Sequence, residues 1–291
     1  MISLLRFAPV AFALLGFACA AQAGEWRPLL DRDLSQWETY LSYRHVDGYD
    51  GRPPVDAAGK TVAPIGFGRD EAGVFTVVEK DGVPALRVSG EIYGCLISKR
   101  DYANYRLKLK VKWGEKKWDP RRGKLRDSGI LYHSVGEPGV EYWRSWMLSQ
   151  EFQIMEGHMG DYWCQANSAI DIRAFLPEGM MNAVAGERQP FRPFGPAPGI
   201  ASFCLRSADY ESPPGAWTEL ELICFEGRSL HLVNGHVVMI LRDSRVMTDA
   251  GAKPLAHGKL QLQSEAAEVF FADIRIQEID ALPAEYARLF E

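Results

Sequence analysis

The stretch Tyr105–Trp113, YRLKLKVKW, alternates without a break. Leu107, Leu109, Val111 and Trp113 fall on one face, and Arg106, Lys108, Lys110 and Lys112 on the other. A period of two is the mark of a half-buried β-strand. The basic row has two readings, a strip for a polyanion or a solvated sheet face that discourages edge pairing, and the second is the commoner use. The same period runs through the C-terminal third, in TELELICFEG, RSLHLVNGHVVMIL and GKLQLQSEAAEVFFADIRIQEI. Asn234-Gly235 joins two of these runs, and Asp81-Gly82 lies inside GVFTVVEKDGVPALRVS. Both pairs supply the positive φ values a tight hairpin needs. Shorter strands are expected at GCLISKR, SGILYHSV and QEFQIM.

Helical signals are few, and PAEYARLFE at the C-terminus is the one short helix expected. Seven prolines lie between Pro177 and Pro214, so that stretch reads as a long ordered loop packed over a site. Many short strands, Gly/Pro loops and almost no helix make this an all-β chain, an antiparallel sandwich of two sheets with long polar loops. Strands occur on both sides of the proline-rich loop without a shift in composition, which predicts a single domain over residues 24–291.

Residues 1–23 read as a secretory signal peptide. Arg6 precedes an apolar run from about Ala8 to Ala18, and Ala21-Gln22-Ala23 is a small-x-small cleavage pattern. The expected product is exported, periplasmic or secreted. Lipid attachment at Cys19 fits poorly, because Gly16 stands where a branched apolar residue belongs. No later stretch is long and apolar enough to span a bilayer. Nearly half the residues (47%) are hydrophobic, enough for a large core, and the net charge of −5 with no basic loop segment argues against a nucleic-acid partner. Four cysteines follow the leader. Cys95 and Cys224 sit in apolar strands, and Cys164 and Cys204, in expected loops, are the better disulfide candidates.

In QEFQIM, alternation puts Glu151 and Gln153 on one face and turns Phe152 and Ile154 into the core. In SGILYHSV it puts Leu131 with His133, so a neighbouring strand would bring His133 to Glu151 in one groove. An imidazole beside a carboxylate is a proton-transfer pair near neutral pH. The loop that follows carries Glu156, His158 and Asp161, with Asp171 beyond, and such groups could ligate a divalent ion. No spacing among them matches a defined metal motif. Trp143, Trp146 and Trp163 lie close to these carboxylates, and indole faces stack on the C–H faces of sugar rings. A serine-hydrolase elbow, a Walker loop and a GxGxxG fingerprint are all missing.

These segments resemble a known family. LLDRDLSQWETY, RDSGILYHSV, SQEFQIMEGHMGDYW, GAWTELELICFEGRSLHLVNGHVV and GKLQLQSEAAEVFFADIRIQEI are similar, in order, to the motifs of the 3-keto-disaccharide hydrolase domain family. One departure is Ala266-Ala267, where the family usually has a glycine. The resemblance implies a concanavalin-like jelly roll that cleaves sugars oxidised to a ketone at C3. The ketone acidifies the C2 proton, a base forms an enediolate, the C1 substituent leaves, and water can add back. A small carbohydrate is then the partner, and a divalent ion could steady the enolate oxygen. Glu151, Gln153 and Glu156 match the family's motif positions, while His133 stands where many members carry arginine; the roles expected here are His133 or Glu151 as base, Glu156 or Asp161 as acid or metal ligand, and His158 as second ligand or enolate donor. Gln153, Trp143, Trp146 and Trp163 would contact the sugar. A non-catalytic carbohydrate-binding module using the same groove is the alternative.

Overall fold

The computed structural model describes residues 24–291, so the expected signal peptide and Cys19 lie outside the described residues. The expected jelly-roll sandwich is the fold observed: two sheets, of twelve and eight strands, in which the named strands pair antiparallel. In the large sheet Tyr105–Lys117 lies between Thr218–Phe225 and Ala267–Glu278, two of the alternating C-terminal runs. In the small sheet the order from one edge is Phe203–Cys204, Tyr162–Gln165, Leu148–Met155, Asp127–Val135, Lys259–Ser264, Gly94–Ser98, Trp37–Leu41 and Gly66–Phe67.

Alternation explains the core. Leu107, Leu109 and Val111 from the large sheet meet Ile130, Tyr132, Phe152, Ile154, Leu260 and Leu262 from the small one in a single buried cluster. Burying one such aliphatic side chain contributes roughly 1.5–3 kcal/mol. The outward residues of the same large-sheet strand are mostly paired. Arg106 and Lys108 reach Glu221 at 2.6 and 3.3 Å, and Lys112 reaches Asp81 at 2.8 Å. The basic row is therefore a neutralised, solvated sheet face.

The hairpin turns form as expected, with φ of 47° and 79° at Asn234-Gly235 and 54° and 77° at Asp81-Gly82. The C-terminal helix is a single turn, Ala284–Ala287, extended by a 3-10 turn. The proline-rich stretch is mostly loop but contributes three short strands, Val184–Ala185, Phe191–Phe194 and Phe203–Cys204. Pro193 is tolerated because its strand is paired off the main path of the large sheet, where a missing N–H costs no ladder bond. The disulfide expectation is not met, since Cys95, Cys164, Cys204 and Cys224 are all free thiols. Cys204 lies opposite Tyr162 while the Cys164 N–H bonds Ser202, so the two cysteines are offset by two residues along adjacent strands. That separation exceeds the Cα–Cα reach of a disulfide. Among the described residues no helix is long and apolar enough to cross a membrane.

Candidate active site

The small sheet turns its second face away from the core, and three neighbouring strands project polar side chains from it. Gln153 lies opposite Gly129 in the ladder, and Glu151 opposite Leu131. On the next strand the core takes Leu260 and Leu262, which leaves Gln261, Gln263 and the following Glu265 outward. Asp127 stands at the start of the middle strand, bridged to Glu265. Glu151, Gln153, Asp127 and Glu265 all line one cleft of about 660 Å³. Its walls include Trp143, Trp163 and Phe203, and the proline-rich loop closes one side with Pro196 and Ser202.

Gly129 is required here. A Cβ at this position would sit 2.5 Å from Gln263 Oε1 and 2.6 Å from Glu151 Oε1. Without a side chain at Gly129, groups from the two flanking strands approach each other across the middle one.

The electrostatics are lopsided. Four carboxyl groups, Asp127, Glu141, Glu151 and Glu265, share the cleft with one guanidinium, Arg121. Arg121 binds Asp127 and, at 2.7 Å, Glu265. Gln153 Nε2 donates to Asp127 Oδ1 at 2.8 Å, and Gln165 Nε2 donates to Glu151. Burial, and then the neighbouring Glu265, push the Glu151 carboxyl up to about 8. Burial and Glu265 also hold Asp127 well above the usual carboxylate range. Burial raises Glu265 too, against the opposing pull of Arg121. Burial lifts Glu141 to about 7, although the backbone N–H groups of Trp143, Ser145 and Trp146 all donate to its carboxylate. The cleft therefore holds protons near neutral pH, the condition for acid–base work.

Several residues picked out in the sequence are elsewhere. His133 has φ of 53° at a register shift in its strand, so alternation fails there and the ring leaves the outward face. It is buried beside Leu255, Ala103 and His257, and burial lowers its imidazole to about 3. Glu156 pairs with Arg126 at 2.8 Å and lines a different, larger cleft of about 940 Å³ with Lys112, Trp113 and Glu211. Asp161 is fully buried and spent on loop structure. It accepts from the Arg206 backbone N–H at 2.8 Å and from its guanidinium at 3.1 Å, while His158 Nδ1 lies 3.1 Å away. Glu156, His158 and Asp161 therefore do not form a ligand set, and no group of three His, Cys, Asp or Glu side chains suited to a metal occurs among the described residues. Asp171 pairs with Arg245 at 2.9 Å.

The tryptophans divide. Trp163 is 38% exposed on the cleft wall, tilted against Phe203 at 4.5 Å. Trp143 is half-buried, with one face stacked on Tyr49 at 5.2 Å. Trp146 also lines the cleft but is only 1% exposed, its indole N–H on the Gly94 carbonyl at 2.9 Å, so it forms floor rather than an open stacking face. Glu151, Gln153, Trp143, Trp146 and Trp163 are thus brought together around one cleft. The sequence reading missed Asp127, Glu265, Glu141, Arg121 and Gln263. The alternation Gln261, Gln263, Glu265 was a readable signal for two of them.

No curated protein sequence matches the chain. Among solved structures, a Parabacteroides distasonis protein provisionally assigned as a glycosyl hydrolase is 16% identical, with a TM-score of 0.45 over 88% of this chain and 94% of that one. The carbohydrate-binding module CBM66 of Bacillus subtilis is 11% identical, with a TM-score of 0.38 over 70% and 91%. At these scores neither likeness assigns a function. The family resemblance is of another order, because one family model matches residues 25–277: this chain belongs to the family of the 3-keto-alpha-glucoside-1,2-lyase-like domain.

Proposed function

We propose that this protein is an exported carbohydrate-active enzyme that cleaves 3-keto-glycosides in the Glu151 cleft. The observation that carries the reading is Glu151 itself, a buried carboxyl held near 8 beside the exposed indole of Trp163. Trp163 and Trp143 supply faces for the sugar ring. Ionised Glu151 takes the C2 proton, and the electron pair of that bond forms the C2–C3 enolate. Arg121 faces the negative oxygen. The enolate then collapses to restore the C3 ketone, a C1–C2 double bond forms and the C1–O bond breaks. The proton-rich Asp127–Glu265 pair protonates the departing oxygen. Addition of water across the new double bond turns the elimination into net hydrolysis. The proposed metal ligands do not converge, so no step is assigned to an ion.

The test is product analysis on a panel of 3-keto-glucosides, with and without a chelator, for the wild type and for Glu151→Gln. Wild-type turnover with a fall in kcat of about 10²–10⁴ in the variant, and sugar affinity within about threefold, is the expected result. No turnover on any member, with sugar binding retained, makes the chain a carbohydrate-binding module.

A further inference from the structure

Gln263 faces the Glu151 carboxyl and pulls its titration down, yet makes no hydrogen bond of ordinary geometry. It is completely buried, and both its Oε1 and its Nε2 lack a hydrogen-bond partner. Its neighbour two residues earlier shows the ordinary arrangement. Gln261 is just as buried, but its Oε1 accepts from the Met147 N–H at 3.2 Å and its Nε2 donates to Ser134 at 2.8 Å. A buried amide left unmade is costly, so a free one calls for a partner that changes. The neighbour that fits is Glu151. Its Oε2 is taken by Gln165, while its Oε1 and Gln263 Oε1 converge over the gap left by Gly129. Which end of the amide suits the carboxyl depends on its state, nitrogen for the anion and oxygen for the acid.

We propose that Gln263 is a positioning residue for Glu151, its amide turning between accepting from the protonated carboxyl and donating to the ionised one. Rotation about the last side-chain bond exchanges oxygen for nitrogen at nearly the same place, and that torsion is broadly two-fold. A fixed donor would favour only the carboxylate and a fixed acceptor only the acid. A turning amide serves both states and keeps the Glu151 oxygen on one line while the proton comes and goes. Of the other groups facing Glu151, Gln165 is already committed as a donor to Oε2, Glu265, Glu141 and Asp127 add negative charge, Arg121 is held by two of them, and the Cys164 thiol is raised by burial. The role in turnover rests on Glu151 being the proton-transfer group of the proposed reaction, but the amide–carboxyl coupling needs no substrate.

The experiment uses the full chain labelled with ¹³C-glutamate and ¹⁵N-glutamine, titrated by NMR from pH 5 to pH 10, with Glu151→Gln identifying the carboxyl signal. In the wild type the Gln263 amide signals move with the same midpoint as the Glu151 carboxyl. In Gln263→Met, of similar volume, the charge-assisted bond to the carboxylate is the stronger one lost, so the Glu151 midpoint rises by about one unit. The limb of kcat/KM against pH moves with it. Gln263 signals that stay flat through the Glu151 titration overturn the proposal, and this arm needs no variant to fold. A Glu151 midpoint within about 0.3 unit of wild type in folded Gln263→Met also overturns it. A coupled titration without turnover on the sugar panel supports the pair and rejects the 3-keto-glycoside reading.

Discussion

Two faces of this sandwich carry rows of charge, and they are built on opposite terms. On the outer face of the large sheet, Arg106 and Lys108 meet a buried Glu221, and Lys112 meets the more exposed Asp81, so each charge has its counter-charge. In the cleft on the small sheet, four carboxyls face one guanidinium, and Asp127, Glu151 and Glu265 are all under 5% exposed. Balanced surface pairs gain little and cost little. A surplus of one sign inside the protein is expensive and shifts every member's titration, and folded chains carry that cost chiefly where chemistry is done. The contrast also separates the two readings of the basic strand. Its charges are matched, whereas the cleft's are not.

The largest effect expected is from Arg121→Met. It removes the one counter-charge beside Asp127 and Glu265, a loss of about 3–5 kcal/mol in urea unfolding at alkaline pH, where the pair is most ionised, and less at pH 7, where it still holds protons. The deficit should shrink at low pH, where both carboxyls are protonated. A loss below about 1 kcal/mol would put the cleft on the same footing as the outer face.

Next comes the pH dependence of stability. The Glu151 carboxyl is raised in the folded state, from an ordinary value of 4.5 to about 8, so the native protein holds a proton the unfolded chain has released. Its contribution is complete below about 4.5 and is lost as pH rises towards about 8. Glu151→Gln removes that loss. The variant should be more stable than wild type at pH 8.5 by on the order of 2 kcal/mol, less than full linkage because its neighbours share the proton. Parallel stability–pH curves for the two proteins would contradict the buried-acid assignment. Asp81→Asn, at the exposed end of the outer row, should change stability far less than Arg121→Met and leave turnover within twofold.

What could be read from the sequence divides along the same line. Wherever the backbone kept a period of two, the direction of each side chain followed, which is why Glu151, Gln153 and the core residues between them were legible. Glu265 and Gln263 obeyed the same rule and were open to it. His133 was misplaced because a positive φ interrupts its strand, and nothing in SGILYHSV marks that bulge. Arg121 and Glu141 come from irregular loops, where no period relates sequence position to direction. The free Trp163 and the buried Trp146 cannot be told apart by pattern, since burial of an indole under a loop depends on packing between distant segments.

Ala266 ties the cleft to backbone geometry and carries the smallest effect. It has φ of 54°, a conformation that favours glycine, at the turn between the strands Lys259–Ser264 and Ala267–Glu278. The left-handed conformation costs alanine about 1–2 kcal/mol. Its methyl group is 1% exposed and packs in the cluster with Tyr93, Leu131 and Trp146 beneath the cleft, a burial of about 0.8 kcal/mol. Glycine would relieve the strain, lose that packing and add about 0.5–1 kcal/mol of unfolded-chain entropy. The terms nearly cancel, so Ala266→Gly should change unfolding stability by less than about 1 kcal/mol. Because Glu265 is the preceding residue, the sharper readout is the Glu151 midpoint, which its neighbour helps to set. An unchanged midpoint means the alanine holds the same turn that glycine would. A shift of more than half a unit means that the turn, through Glu265, tunes the charge imbalance that distinguishes the cleft from the outer face.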